Sequence, residues 1–299
     1  MFRAGVSLLL LATAASLPAS AARGCGPAVV QLTVLDQGGT ALNGLAPSDF
    51  KVRIKGQTAN VTAVNNGVFP HRTILLVSHT ATMGQSIKIQ MARQLAATII
   101  TTAPGSVMAG LFGSDISGLL DARADEVLGA GLQATSDSRN LLYDAVLGTI
   151  VNAKLHGSDV LVVITDSPDN SSTYTAADLQ QRIALTGVRL FVVALPPADG
   201  TGTMLPLTAL ANASGGVVIV PLHVDETTRG VVISPGDVDG AVTNLSRAYA
   251  EYSNVYQLET DIEGQDKPLP LRVDVDRRKL GAGKVAAPSM LAPCSATEQ

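Results

Sequence analysis

The sequence predicts an α/β fold: a doubly wound, mostly parallel sheet with a small β-sandwich formed by the N- and C-terminal strands. Three observations carry this prediction. Short, fully apolar runs such as Ile74 to Val77 and Val160 to Ile164 recur, as in strands covered on both faces. Segments with apolar residues at helical spacing fall between these runs, which is the pattern of a parallel sheet with crossover helices. Near both ends of the chain the pattern becomes strand-like, with polar and apolar residues alternating.

In chain order, Val29 to Leu35 is β-branched and reads as a strand, and Asp36-Gln-Gly-Gly39 turns it. In Lys51 to Lys55, Phe50, Val52 and Ile54 face one way and the charges the other; Asn60 to Val64 is a third short strand. Three such strands bury little by themselves and need partners. Ile74 to Val77 opens the central sheet. A helix over 86–103 follows, with Ile87, Met91, Leu95 and Ile99 in a stripe reinforced by Ala92 and Ala96. Val107 to Phe112 is the next strand, and Ile116 to Leu120 returns as an antiparallel edge. Asn140 to Leu155 is helical, Val160 to Thr165 is a strand ending at Asp166, and Ala176 to Leu185 is a helix stopped by Gly187. Val188 to Leu195, ended by Pro196-Pro197, and Val217 to Val220 are strands; Leu205 to Ala213 and Val238 to Tyr252 are helices. Val255 to Thr260 and Leu269 to Val275 are strands joined by the polar turn at 263–266, and their natural partners are the strands near the N-terminus.

The domain boundaries follow: a signal peptide at 1–21, N-terminal sandwich strands at 28–68, the α/β domain at 70–252, the completing strands at 253–285 and a tail at 286–299. The signal peptide rests on a basic start at Arg3, the apolar run Leu8 to Leu17 and an A-x-A site ending at Ala21. The run is too short to span a bilayer, and no later run approaches the roughly 20 apolar residues a span needs. The mature chain is therefore expected to be exported, to the periplasm or the exterior. Cys25 and Cys294, the two cysteines of the chain, are either one disulfide that brings its ends together or two free thiols. A net charge of −4 argues against a nucleic-acid partner. With aromatics at 3% and Trp absent, stacking platforms for sugars or bases are not expected.

The stretch from Thr73 to Gly84 is the candidate site. An apolar strand runs into a loop whose Ser78, Thr80 and Thr82 carry hydroxyls at alternate positions, and a helix follows. Ligands of open α/β sheets sit beyond the carboxyl ends of the strands. Enzyme signatures are missing: there is no G-x-S-x-G elbow, no G-x-x-x-x-G-K-[ST] and no G-x-G-x-x-G after a strand, and His71, His79, His156 and His223 are scattered. The chain is not expected to be an enzyme.

Several short pieces in this order resemble the von Willebrand factor A domain, and more narrowly the exported VWFA-related proteins of Acidobacteria. They are Leu35-Asp36-x-x-Gly39 with Gly44-Leu45-x-x-x-Asp49-Phe50, then Leu75 to Met83, Leu142-Tyr143-Asp144-Ala145, Ile164-Thr165-Asp166 with Asp169-Asn170-Ser171, and the strands from Tyr256 to Val275. The resemblance implies a metal-ion-dependent adhesion site: a strand-end D-x-S-x-S, a Thr and an Asp from three loops around Mg²⁺. At the matching positions this chain has Ser78, Thr80, Thr82, Asn140 and Asp166, so the leading carboxylate is missing and the set is a degenerate one. A lone carboxylate attracts Mg²⁺ less than a pair does. The other reading of these residues is a hydrogen-bonded strand-to-helix turn, with His79 an exposed loop residue and Asp144 structural. Functionally the expectation is an exported module that binds a protein partner through its strand-end face with no cofactor. The alternatives are Mg²⁺-dependent adhesion through the atypical site and a purely structural envelope component.

Overall fold

A computed structural model describes residues 25–84, 86–121, 132–195, 205–220 and 235–294. The signal-peptide segment 1–21, Pro196-Pro197 and His223 lie outside the described residues.

The chain begins with β1 (Pro27–Leu35), β2 (Phe50–Ile54), β3 (Gln57–Ala59) and β4 (Val61–Val68). The central part comprises β5 (Thr73–Ser78), α1 (Ser86–Thr102), β6 (Val107–Phe112), β7 (Leu120–Asp121), α2 (Leu142–Asn152), β8 (Val160–Thr165), α3 (Ala176–Thr186), β9 (Arg189–Ala194), α4 (Leu205–Ala213), β10 (Val217–Ile219) and α5 (Pro235–Ser253). The chain then returns to strand in β11 (Asn254–Glu263), β12 (Leu269–Val275), β13 (Lys284–Ala286) and β14 (Met290–Leu291).

Six strands form the central sheet in the order β10-β9-β8-β5-β6-β7, parallel except for the β7 edge. Because helices cover both faces, successive residues of one strand enter different cores, which is why the runs are apolar throughout. Leu75 and Val77 of β5 pack with α1 residues such as Met91 and Leu95. Ile74 and Leu76 pack with Leu142 and Val146 of α2 and Leu179 of α3. Gly187 ends α3 at φ 70°, a left-handed cap that an L-residue adopts only under strain, and its N–H donates to Ile183 O at 2.7 Å.

The terminal strands close the expected sandwich. One sheet has the order β13-β1-β11-β4 and the other β14-β12-β2-β3. Val30, Leu32 and Val34 from β1 meet Phe50, Val52 and Ile54 from β2, together with Tyr256, Leu258, Leu271 and Val273. Phe50 and Tyr256 pack edge-to-face at 5.2 Å. Three details differ from the sequence reading. The third strand, expected over 60–64, is β4, and a further strand, β3, precedes it; Asn60 between the two is held by the Asp261 side chain, which accepts its N–H at 2.8 Å. The antiparallel edge is only Leu120–Asp121, with Ile116 reduced to an isolated bridge to Phe112. The segment expected as a tail from 286 contributes β14, which pairs with Leu269 and Pro270. Among the described residues no helix is long and apolar enough to cross a membrane.

Cys25 and Cys294 form a disulfide across a sequence separation of 269. Gly264 lies against the bridge: a Cβ there would stand 3.2 Å from Cys25 Cβ and 3.4 Å from Cys294 Cβ. Closing so long a loop restricts the unfolded chain strongly. Replacing both cysteines by Ser is expected to lower the unfolding free energy by about 2–5 kcal/mol, measured by urea denaturation, while the far-UV circular dichroism of the folded protein stays the same.

Candidate functional site

Strand order places the site. From β5 the chain proceeds outward to β6, and from β8 it proceeds the other way to β9, so the adjacent carboxyl ends of β5 and β8 form the topological switch point of the sheet. Ser78 is the last residue of β5, and Asp166 follows the last residue of β8. Both are fully buried, as is Thr80.

The hydroxyls form a row that ends on the carboxylate. Ser78 Oγ lies 3.4 Å from Thr80 Oγ1, Thr80 Oγ1 lies 2.9 Å from Thr82 Oγ1, and Thr82 donates to Asp166 Oδ1 at 2.9 Å. An ionised carboxylate only accepts, so Thr82 gives its proton to Asp166, Thr80 donates to Thr82 and Ser78 donates to Thr80. The row is thereby polarised toward Asp166.

The other oxygen of Asp166 is taken by a residue that the sequence reading passed over. Lys88 Nζ donates to Asp166 Oδ2 at 2.7 Å and to the Thr82 carbonyl at 3.2 Å. The two side chains are 2% and 0% exposed, so this is a fully buried ion pair. Lys88 belongs to the first turns of α1, on the side that carries Met91, Ala92 and Leu95. The signal was its spacing: three, four and seven residues before those core positions, where an unpaired lysine does not belong.

Asn140 joins the neighbouring loop and makes no hydrogen bond to the hydroxyl row. Its Nδ2 donates to Ser167 O at 3.0 Å, Ser167 Oγ at 3.0 Å and Pro168 O at 3.2 Å, which fixes the orientation of the amide. Its Oδ1 is buried without a hydrogen-bond partner. The loop after Asp166 staples α2. Asp169 accepts the Tyr143 N–H at 2.9 Å and the Ser172 hydroxyl, Asn170 Oδ1 accepts the Asn140 N–H at 2.7 Å, and Asp144 Oδ1 accepts the N–H groups of Thr173 and Tyr174 at 2.9 Å each. Asp169 thus places negative charge at a helix N-terminus, where unpaired N–H groups favour it. His79, expected to be exposed, has a side chain only 13% exposed; it lies against Gly113 and its Nε2 is 3.2 Å from Asp115 Oδ1. Around this sealed centre runs a polar rim that includes Asp115, Ser138, Arg139, Asn170 and the half-exposed ring of Tyr174. The Arg139 side chain, 2.6 Å from Asp137 Oδ2, holds the Asp137 carboxyl down at about 2.

The donor set does not fit the Mg²⁺ that the resemblance implies. Its one carboxylate has both oxygens engaged, and an ammonium sits 2.7 Å from it. A dication entering beside Lys88 would face a repulsion on the order of 8 kcal/mol at about 4 Å and an effective dielectric of roughly 20. The acceptor left open, Asn140 Oδ1, is a single neutral oxygen, whereas Mg²⁺ is bound through carboxylates and phosphates.

No family model and no curated protein matches the chain. Among solved structures it is similar to a von Willebrand factor type A protein from Catenulispora acidiphila, at 14% identity over 90% of this chain and 74% of that one, with a TM-score of 0.43. It is similar to the conserved hypothetical protein BatB from Bacteroides thetaiotaomicron at 13% identity, over 60% and 99% of the two chains, with a TM-score of 0.41. The ArnB paralog VWA2 from Sulfolobus acidocaldarius is 13% identical over 90% and 76%, with a TM-score of 0.38. The fold is a six-stranded, mostly parallel sheet between two layers of helices.

Removing one member of a buried pair strands the charge of the other, which typically costs about 3–5 kcal/mol. Lys88→Met and Asp166→Asn are each expected to destabilise by that order. The double variant is expected to lose clearly less than the sum, as read by urea unfolding in a double-mutant cycle. Additive losses would mean that the two side chains do not pair.

Proposed function

We propose that this chain is an exported, non-catalytic protein-interaction module whose recognition face is the polar rim at the carboxyl ends of β5 and β8, and that it binds without a divalent metal. The observation that carries this reading is the Lys88–Asp166 pair. It neutralises the centre of the face from within and leaves Asp166 no free oxygen to bridge a metal to a partner's acid. The hydroxyl row supports the same reading, because its protons are spent within the row and, at its end, on Asp166. Among the described residues no imidazole or amine is placed to activate a hydroxyl of this row: Lys88 Nζ is committed to Asp166 and a carbonyl, and His79 Nε2 points to Asp115. Recognition then falls to Arg139, Asn170 and Tyr174 on the rim, held in place by the bonds of Asp144, Asp169 and Asn170.

Millimolar Mg²⁺ or Mn²⁺ is expected to leave the melting temperature of the wild type unchanged, and Ser78→Asp alone is expected not to alter that. Ser78→Asp combined with Lys88→Met supplies a second carboxylate and removes the ammonium, so it should gain a Mg²⁺-dependent stabilisation of roughly 1–3 kcal/mol. Capture of a partner from envelope extract should persist in chelator and fall when Tyr174→Glu and Arg139→Glu are introduced. Capture that needs a divalent ion, or that ignores both rim changes, would refute this reading.

A further inference from the structure

At the opposite end of the sheet, by the amino ends of β8 and β9, a cleft of about 640 Å³ lies between the sheet and the sandwich. Its lining includes Val29 and Gln31 of β1, His156 and Ser158 before β8, Arg189 at the start of β9, and Met290 of β14. Two features of this cleft are unexplained by the fold.

The first is a buried cation. Arg189 is 5% exposed. Its Nη2 donates to Thr33 Oγ1 at 3.1 Å and Gly215 O at 3.2 Å, its guanidinium carbon stands 5.4 Å from the centre of the Phe191 ring, and its Nε has no partner. Among the described residues no carboxylate pairs with it. The nearby Asp159 is committed to Arg72 and to the His156 N–H, and Asp266, at the far end of the cleft, lies beside the disulfide. Burial lowers the Arg189 pKa to about 10, so it remains charged at neutral pH. A buried guanidinium without an anion is costly, and the usual resolution is a partner carboxylate or phosphate.

The second feature is an open sheet edge. On the side of β1 away from β11, β13 pairs only with Thr33, Val34 and Leu35. Among the described residues the portion from Pro27 to Leu32 has no strand beside it on that side, and Pro27 to Gln31 line the cleft. Six residues offer roughly 20 Å of edge. Thr33, which accepts from Arg189, is the residue where the covered part begins, so the guanidinium stands at the inner end of the open edge. Exposed edges recruit extended peptides through main-chain hydrogen bonds, and a charged group at one end sets register and selectivity.

We propose that this cleft binds an extended segment of a partner protein that adds along Pro27–Leu32 of β1 and places a carboxylate on Arg189. The surface is separate from the strand-end rim and does not depend on it.

The test uses the full folded protein and fluorescent hexapeptides of alternating Val and Thr, with Glu at the first or the last position and matched Gln controls. Anisotropy should show one Glu peptide binding about tenfold or more tighter than its Gln control. Arg189→Met should abolish that preference. Gln31→Glu, which adds a negative charge to the cleft, should weaken the Glu peptide by about tenfold. On binding, amide hydrogen exchange should slow at Val29 to Gln31. Equal affinity for Glu and Gln peptides, no measurable binding of either, or a preference that survives Arg189→Met would overturn the proposal. If Arg189→Met fails to fold, an unchanged affinity in Gln31→Glu would overturn it equally.

Discussion

The strand-end site is built on one constraint: a carboxylate buried at the end of a central strand must have a cation. Asp166 is fully buried where the backbone leaves the sheet, and water does not reach it to screen its charge. Lys88 meets the constraint from within the chain. To reach Asp166 it must project from the core side of α1, so the pair ties the rotation of that helix to the end of β8. Through Thr82, which bonds to both partners, it also fixes the loop leaving β5. Three elements that sequence separates are held by one ionic contact. The arrangement is more specific than it is stabilising, because desolvating both ions offsets most of their attraction.

The same logic, satisfied differently, governs the other end of the sheet. There Asp159 is buried and finds Arg72 and the N–H of His156. Arg189 is buried and finds only a hydroxyl, a carbonyl and a ring face. One end of the molecule therefore has balanced charge and hydroxyl protons already committed. The other has a cation and a strand edge with capacity left over. This asymmetry distinguishes a centre that is a closed structural unit from a cleft equipped for an anionic partner.

Much of the architecture was legible because local patterning and tertiary environment agree. The strand β8 and the helix α4 have the boundaries that apolar runs and glycine stops indicate, since a strand covered on both faces is apolar through its middle and takes polar residues only at its ends. Pairing of the terminal strands was legible because Phe50, Val52 and Ile54 have no core of their own. The break between β3 and β4 at Asn60 was not, because it depends on Asp261, two hundred residues away in the chain. Of the site, Ser78, Thr80, Thr82 and Asp166 meet in one row because each stands at the same end of adjacent strands. Asn140, at a matching motif position, instead spends its amide on the loop of Ser167 and Pro168. Lys88 carried a signal, a lysine inside an apolar stripe, but its meaning arises only when α1 is folded over Asp166.

An internal ammonium occupies the one carboxylate of the strand-end site. Nitrogen-15 NMR of lysine-labelled protein reads this contact, because a buried, hydrogen-bonded ammonium exchanges slowly enough to be seen. One protected ammonium resonance is expected, lost in Lys88→Met, that keeps its line width when Mn²⁺ is added. A Lys88 ammonium that exchanges freely with water, or whose signal broadens with Mn²⁺ at low stoichiometry, would refute the pairing.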